Sequence, residues 1–263
     1  MSLQVLCGVT HSIPRRFGSL VKGRHLSLRS VLRVAVLAVA SLVSANTFAA
    51  LNQGSYPDWA TRWPAEETYD QDCRPLWIPN KYGPFEYRTA SPADRELVEG
   101  AHFTEEYDAY LKGREKSARK QNELPPAAGF GYTLWAFPNQ PQALAAMEDL
   151  GIRHKTENLP GAMLRVHCFF QRAVRFAPDD ALIRAIYGYY YARRGKFAEA
   201  KVQLEKVDSL GSNVSSVFVY TAFSYIEMKD YEKALEAAKR AYQLGYSLPG
   251  LRNRLERVGK WHD

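Results

Sequence analysis

Two constellations in the sequence have residue types that could do chemistry. His102-Phe103-Thr104-Glu105-Glu106 echoes the inverted zinc-hydrolase pattern His-x-x-Glu-His, but the second histidine is missing. One histidine and one carboxylate cannot hold a catalytic zinc, which takes three protein ligands. The segment reads instead as a helix start with acids in its first turn. His167-Cys168 sets a base beside a thiol, yet adjacent residues on a helix point about 100° apart, so these side chains do not readily meet. Cys168 is better explained as a core or disulfide residue. The sequence has no Gly-rich phosphate loop, no Gly-x-Ser-x-Gly and no Cys-x-x-Cys. The expectation is a protein that is not an enzyme and carries no cofactor and no metal.

The chain has 263 residues, 46% of them hydrophobic, and a formal charge of +7. Such a charge first suggests nucleic acid, but its placement argues otherwise. Arg15, Arg16, Lys22, Arg24, Arg29 and Arg33 all lie in residues 1–49, which hold no acid. An uncharged run from Val34 to Val43 follows, then small residues ending in Ala49-Ala50. Basic stretch, short apolar segment and small-residue exit are the three parts of a secretory signal, with cleavage predicted after Ala49. The apolar run is short for a membrane span, which takes about 20 residues. An uncleaved N-terminal anchor is the alternative. The basic stretch is long, so either translation starts downstream of Met1 or the signal is extended. Without residues 1–49 the charge falls by six to +1, and nucleic acid drops out as a partner. The expected location is the periplasm.

Cys7 leaves with such a signal, and Cys73 and Cys168 remain. In an oxidising compartment these two can form a disulfide, the one pairing open to the mature chain; two unpaired buried thiols are the alternative.

The elements around these residues fall into blocks. Residues 50–90 interleave Pro57, Pro64, Pro75, Pro79 and Pro84 with Trp59, Trp63, Trp77, Tyr82, Phe85 and Tyr87. Prolines oppose helices and interior strands, and the aromatics oppose a free tail. The segment reads as an extended strap laid on a helical body. Residues 91–140 read as accessory helices and a loop. Ser91 caps a helix reaching about Val98, and Thr104 caps a second over Glu105 to about Ser117, with Tyr107, Tyr110 and Leu111 on one face. The charged stretch 113–124 reads as an exposed loop, and a third short helix is predicted from Gly131 to Phe137.

Residues 181–214 align with 215–248 at an offset of 34 with no gap. Gly188 faces Ala222, Tyr191 faces Tyr225, Phe197 faces Tyr231 and Ala200 faces Ala234. Small residues at the eighth and twentieth positions let two helices approach, and aromatics at the eleventh and seventeenth fill the wedge between them. The pattern resembles the tetratricopeptide repeat, whose period is 34. A looser unit of 40 residues, 141–180, precedes them, with about six extra residues near its turn and Glu148 where the small eighth residue belongs. Residues 249–263 read as a capping helix and C-terminus, with Leu251, Leu255 and Val258 along one side. The resemblance covers about 120 residues. Lys81–Arg88 and Val98–Phe103 look similar to stretches of exported bacterial repeat proteins of unassigned activity. The implied fold class is all-α, a short right-handed α-solenoid with an irregular N-terminal strap.

The resemblance implies a concave peptide-binding side lined by positions 2, 5, 9, 12 and 13 of each first helix. Here these are Leu182, Ala185, Tyr189, Ala192 and Arg193, then Ser216, Val219, Phe223, Ile226 and Glu227. The carboxylate-clamp subset of the family has Lys and Asn at positions 5 and 9, which Ala185/Tyr189 and Val219/Phe223 do not match. An apolar, aromatic groove suits an apolar peptide or helix, unless the strap already fills it. The expected function is a periplasmic scaffold or adaptor for another envelope protein. A structural subunit of an outer-membrane assembly and an envelope enzyme with its chemistry in residues 50–140 are the alternatives.

Overall fold

The structure, a computed structural model, describes residues 73, 82–113 and 125–261, all within one unit, Pro57–Asp263. The signal segment, most of the strap and the loop from residue 114 to 124 lie outside the described residues. The fold is all-α. Ten helices and no strand occur among the described residues: α1 Pro92–His102, α2 Thr104–Leu111, α3 Pro126–Ala136, α4 Pro141–His154, α5 Val166–Phe176, α6 Ala181–Ala192, α7 Phe197–Leu210, α8 Ser215–Glu227, α9 Tyr231–Gln243 and α10 Gly250–Arg257. No helix among them is long and apolar enough to cross a membrane.

Local chemistry fixes most of these boundaries. Ser91 Oγ accepts the Asp94 amide at 3.1 Å, and Pro92 opens α1. Asp180 accepts the amides of Leu182 and Ile183 at α6, and Asp230 accepts that of Lys233 at α9. The turns after three first helices each hold a residue with positive φ: Lys155 at 51°, Gly195 at 70° and Lys229 at 60°. Each is the fifteenth residue counted from Pro141, Ala181 or Ser215.

Three sequence-based boundaries need correction. The first accessory helix runs to His102 rather than Val98, because Gly100 is exposed and breaks no packing. Thr104 does not cap the second helix: its hydroxyl donates to the Glu99 carbonyl at 3.0 Å, and the described part of α2 ends at Leu111. The third helix starts at Pro126, not Gly131. Gly129 sits where α3 crosses the α1–α2 junction; a Cβ there would lie 2.5 Å from the His102 carbonyl oxygen. The Pro-Ala-Ala-Gly run is therefore a close helix contact, not a breaker.

The closest packing joins α8 to α9, α6 to α7 and α6 to α8. Helices α4, α6, α8 and α10 follow one another as neighbours, and α10 also packs on α9. Small residues permit this. Ala200, Ala222, Ala234, Ala238 and Ala241 are fully buried, and Gly188 lets α6 approach Leu204 of α7. One core joins α3–α6 around Phe130, Met147, Phe169, Phe170, Ile183 and Ile186. A smaller one joins α8–α10 around Ala238, Leu251 and Leu255, with Trp261 packed against it.

The described end of the strap lies on α1 and on the turn after α3. The Phe85 amide donates to the Ala136 carbonyl at 2.7 Å, and the Tyr87 amide to Asn139 Oδ1 at 2.9 Å. Phe85 and Tyr87 pack on Phe137 with ring centres 5.8 and 5.6 Å apart. Cys73 is bonded to Cys168, with the Cα atoms 5.1 Å apart.

Candidate functional site

Among the described residues, a cleft of about 460 Å³ lies where α2, α4, α6 and α8 converge. Tyr189 of α6, Arg193 just after it, and Ser216, Val219 and Phe223 of α8, all groove residues in the sequence reading, line it. Tyr107, Tyr110 and Leu111 of α2 form a further wall, and Tyr220 and Tyr246 also line it. The remaining groove residues lie elsewhere. Ala185 and Ala192 are buried between helices. Leu182 packs against the larger core and Ile226 against the smaller. Glu227 pairs with Arg254 at 3.0 Å.

The cleft is aromatic. Tyr189 lies 5.9 Å from Tyr220 and 5.8 Å from Phe223, ring centre to ring centre. Arg254 stands over Phe223 at 5.0 Å and Arg193 over Tyr189 at 5.5 Å, a geometry in which the ring quadrupole attracts the cation. Burial pushes the hydroxyls of Tyr189 and Tyr220 above their ordinary pKa, so both remain neutral donors. The strap end described here, with Phe85 and Tyr87, packs away from this cleft.

Glu148 and Asp149 also line the cleft, and with Arg193 they belong to a polar network that periodicity could not reveal. Glu148 is 2% exposed and holds Arg193 and Arg194, the two residues that follow α6. Its Oε2 accepts Arg193 Nη1 at 2.9 Å and its Oε1 accepts Arg194 Nη1 at 3.1 Å. Arg193 also reaches Asp149 at 3.3 Å, which accepts the Tyr110 hydroxyl at 3.0 Å. Arg194 Nε donates to Glu157 at 2.7 Å, and Glu157 also accepts the Tyr190 hydroxyl and the His167 amide. Burial raises the Glu148 pKa, and its two arginines pull the other way without cancelling that rise. Burial also works against ionised Glu157, but Arg194, Tyr190 and the His167 amide overcome it and hold the carboxyl below its ordinary value. The signal for this network was Glu148 standing at a position where the next two pairs carry Gly188 and Ala222.

The other constellations do not assemble a reactive centre. His102 closes α1 and its ring packs on Tyr132 at 3.9 Å, while Glu105 and Glu106 sit in the first turn of α2. Cys168 is oxidised, which removes the thiol nucleophile. The His167 ring meets Gln171 at 2.8 Å and the Tyr187 hydroxyl at 3.2 Å. Among the described residues, no three His, Cys, Asp or Glu side chains could hold a metal ion together. Comparison with protein-family models, with curated proteins and with solved structures gave no match.

Proposed function

We propose that this protein is an exported adaptor that holds an extended apolar segment of another cell-envelope protein in the aromatic cleft. In this reading helices α4–α10 are a short tetratricopeptide-like right-handed solenoid of one expanded and two regular pairs. The 34-residue offset supports it: α6 and α8 begin 34 residues apart, and so do α7 and α9. Residues 1–49 act as an export signal cleaved after Ala49, and the Cys73–Cys168 bond suits the oxidising periplasm. The observation that carries the function is the cleft among the described residues, with Tyr220 and Phe223 both beside Tyr189 and with Tyr107 and Tyr110 in the same lining. Aromatic side chains bring large contact area at low entropic cost, and they dominate binding energy where they cluster.

A photo-crosslinker at Ser216 tests this in envelope preparations. The expected product is a discrete adduct absent when the probe stands at Lys239, on another surface cavity. Tyr189→Ala with Phe223→Ala should cut its yield about tenfold or more while circular dichroism stays unchanged. An undiminished adduct in the double variant would remove the cleft from the binding reaction.

A further inference from the structure

Tyr107, Tyr110, Tyr189, Tyr220 and Tyr246 all line the aromatic cleft. A groove that had only to take apolar side chains would be served by Leu, Phe or Met. A phenol adds a hydroxyl, whose burial costs free energy unless it finds a partner. Tyr110 spends its hydroxyl on Asp149 at 3.0 Å. Among the described residues, the hydroxyls of Tyr107, Tyr189, Tyr220 and Tyr246 make no hydrogen bond. Burial holds all four above their ordinary pKa, so each keeps its proton and can donate it. They come from α2, α6, α8 and the turn after α9, so the donors surround a shared space rather than striping one helix.

The carboxylates of the same lining are engaged. Glu148 holds Arg193 and Arg194, and Asp149 holds Arg193 and the Tyr110 hydroxyl. The cleft therefore offers donors and aromatic surface, and suits a ligand that is apolar and rich in bare acceptors. An α-helix is a poor match, because its carbonyls already accept amides of the next turn. A β-strand pairs with the edge of a sheet, and the described residues form no strand. A polyproline II segment has no internal hydrogen bonds, so its carbonyls are free. Proline has no amide hydrogen to satisfy, its ring packs on aromatic walls, and its fixed φ lowers the ordering cost of binding.

We propose that the segment held in the cleft is a proline-rich stretch of the partner in the polyproline II conformation, its rings against Tyr189, Tyr220 and Phe223 and its carbonyls accepting from the tyrosine hydroxyls. This rests on the adaptor reading and narrows it from any extended apolar segment to one class.

The test titrates the full chain by calorimetry with a polyproline peptide, an amphipathic Leu/Lys helical peptide and a Gly/Ser peptide of equal length. Saturable binding is expected for polyproline, and binding about tenfold weaker or less for the other two. Tyr189→Phe with Tyr220→Phe keeps both rings and removes two donors; it should weaken polyproline binding about fivefold or more. Lys239→Ala should leave it unchanged. No saturable heat with polyproline overturns the proposal, as does binding that the Tyr-to-Phe pair leaves intact. Tighter binding of the helical peptide, lost in Tyr189→Ala with Phe223→Ala, would overturn the proline preference and leave the adaptor reading standing. A persisting Ser216 adduct with no peptide heat would do the same, whereas loss of both would remove the adaptor reading too. A Ser216 crosslink formed within the purified chain alone would mean that its own proline-rich strap fills the cleft, and would overturn the assignment to a partner.

Discussion

At Glu148 a long carboxylate stands where the two following helix pairs have Gly188 and Ala222, and the structure buries it rather than turning it to solvent. Two arginines share it, and each has a second partner: Asp149 for Arg193, Glu157 for Arg194. Removing one member of a buried ion pair costs about 3–5 kcal/mol when the other charge is stranded. Here neither guanidinium is stranded and both are partly exposed, so Glu148→Ala should cost about 2–3 kcal/mol, read from denaturant unfolding. Glu148→Gln should cost less, since the amide oxygen still accepts one hydrogen bond. The neighbouring acids give a pH signature. Glu157, Asp149, Glu86 and Asp179 all ionise below their ordinary values in the fold. Their contribution is complete above the unfolded values, 4.5 for Glu and 3.8 for Asp, and is lost as pH falls through the lower folded ones. Glu148, whose carboxyl is raised, opposes them: its share is present below 4.5 and lost as pH rises. Stability should therefore fall on acidification below about pH 4, and Glu157→Gln should flatten that limb. An unchanged acid limb in the variant would place the titrating groups elsewhere.

Among the elements, the turn between α8 and α9 invites a clean test. Lys229 holds φ 60° at the position where Gly195 holds 70° in the preceding pair. A side chain in the left-handed region costs about 1–2 kcal/mol, and glycine gives part of that back through unfolded-state entropy. Lys229→Gly should thus stabilise by about 0.5–1 kcal/mol, and Gly195→Ala should destabilise by a similar amount. Ala200 is fully buried in the α6–α7 contact; Ala200→Leu should overpack it and cost about 1–3 kcal/mol. Matching melting curves for wild type and Ala200→Leu would contradict that contact. These two pairs were legible in the sequence because spacing and residue size repeat together, so α6 and α8 start on the predicted residues Ala181 and Ser215. Pro141 likewise opens α4 as expected. The accessory helices were less legible. Gly100 and Gly129 look alike in sequence, yet one faces solvent and the other a carbonyl 2.5 Å from its missing Cβ. The tyrosine face of α2 was visible, but its destination depends on a tertiary contact with α4 that no local period encodes.

On the scale of the whole molecule, the Cys73–Cys168 bond joins residues 95 apart, one in the proline- and aromatic-rich segment and one in the first turn of α5. Both cysteines are fully buried, with Leu164 packed against them. In the chain-entropy model, closing a loop of that length restricts the unfolded ensemble by about 4–5 kcal/mol, much of the 5–15 kcal/mol that holds a typical domain. Reduction therefore removes a large share of the stability without removing any helix. Denaturant unfolding with and without dithiothreitol should show the midpoint falling on reduction. The Cys73→Ala, Cys168→Ala double variant should match the reduced protein. Each single variant should behave like the double, since either one opens the loop. The denaturant slope should rise on reduction, because the unlinked chain exposes more surface when it unfolds. If midpoint and slope both stay where they are, residues 73–168 remain constrained in the unfolded state by something other than the bond. The helical pairs after α5 lie outside the closed loop, so Ala200→Leu should cost the same in oxidised and reduced protein. A cost that changed with redox state would mean the loop and the C-terminal pairs unfold in separate steps rather than as one unit.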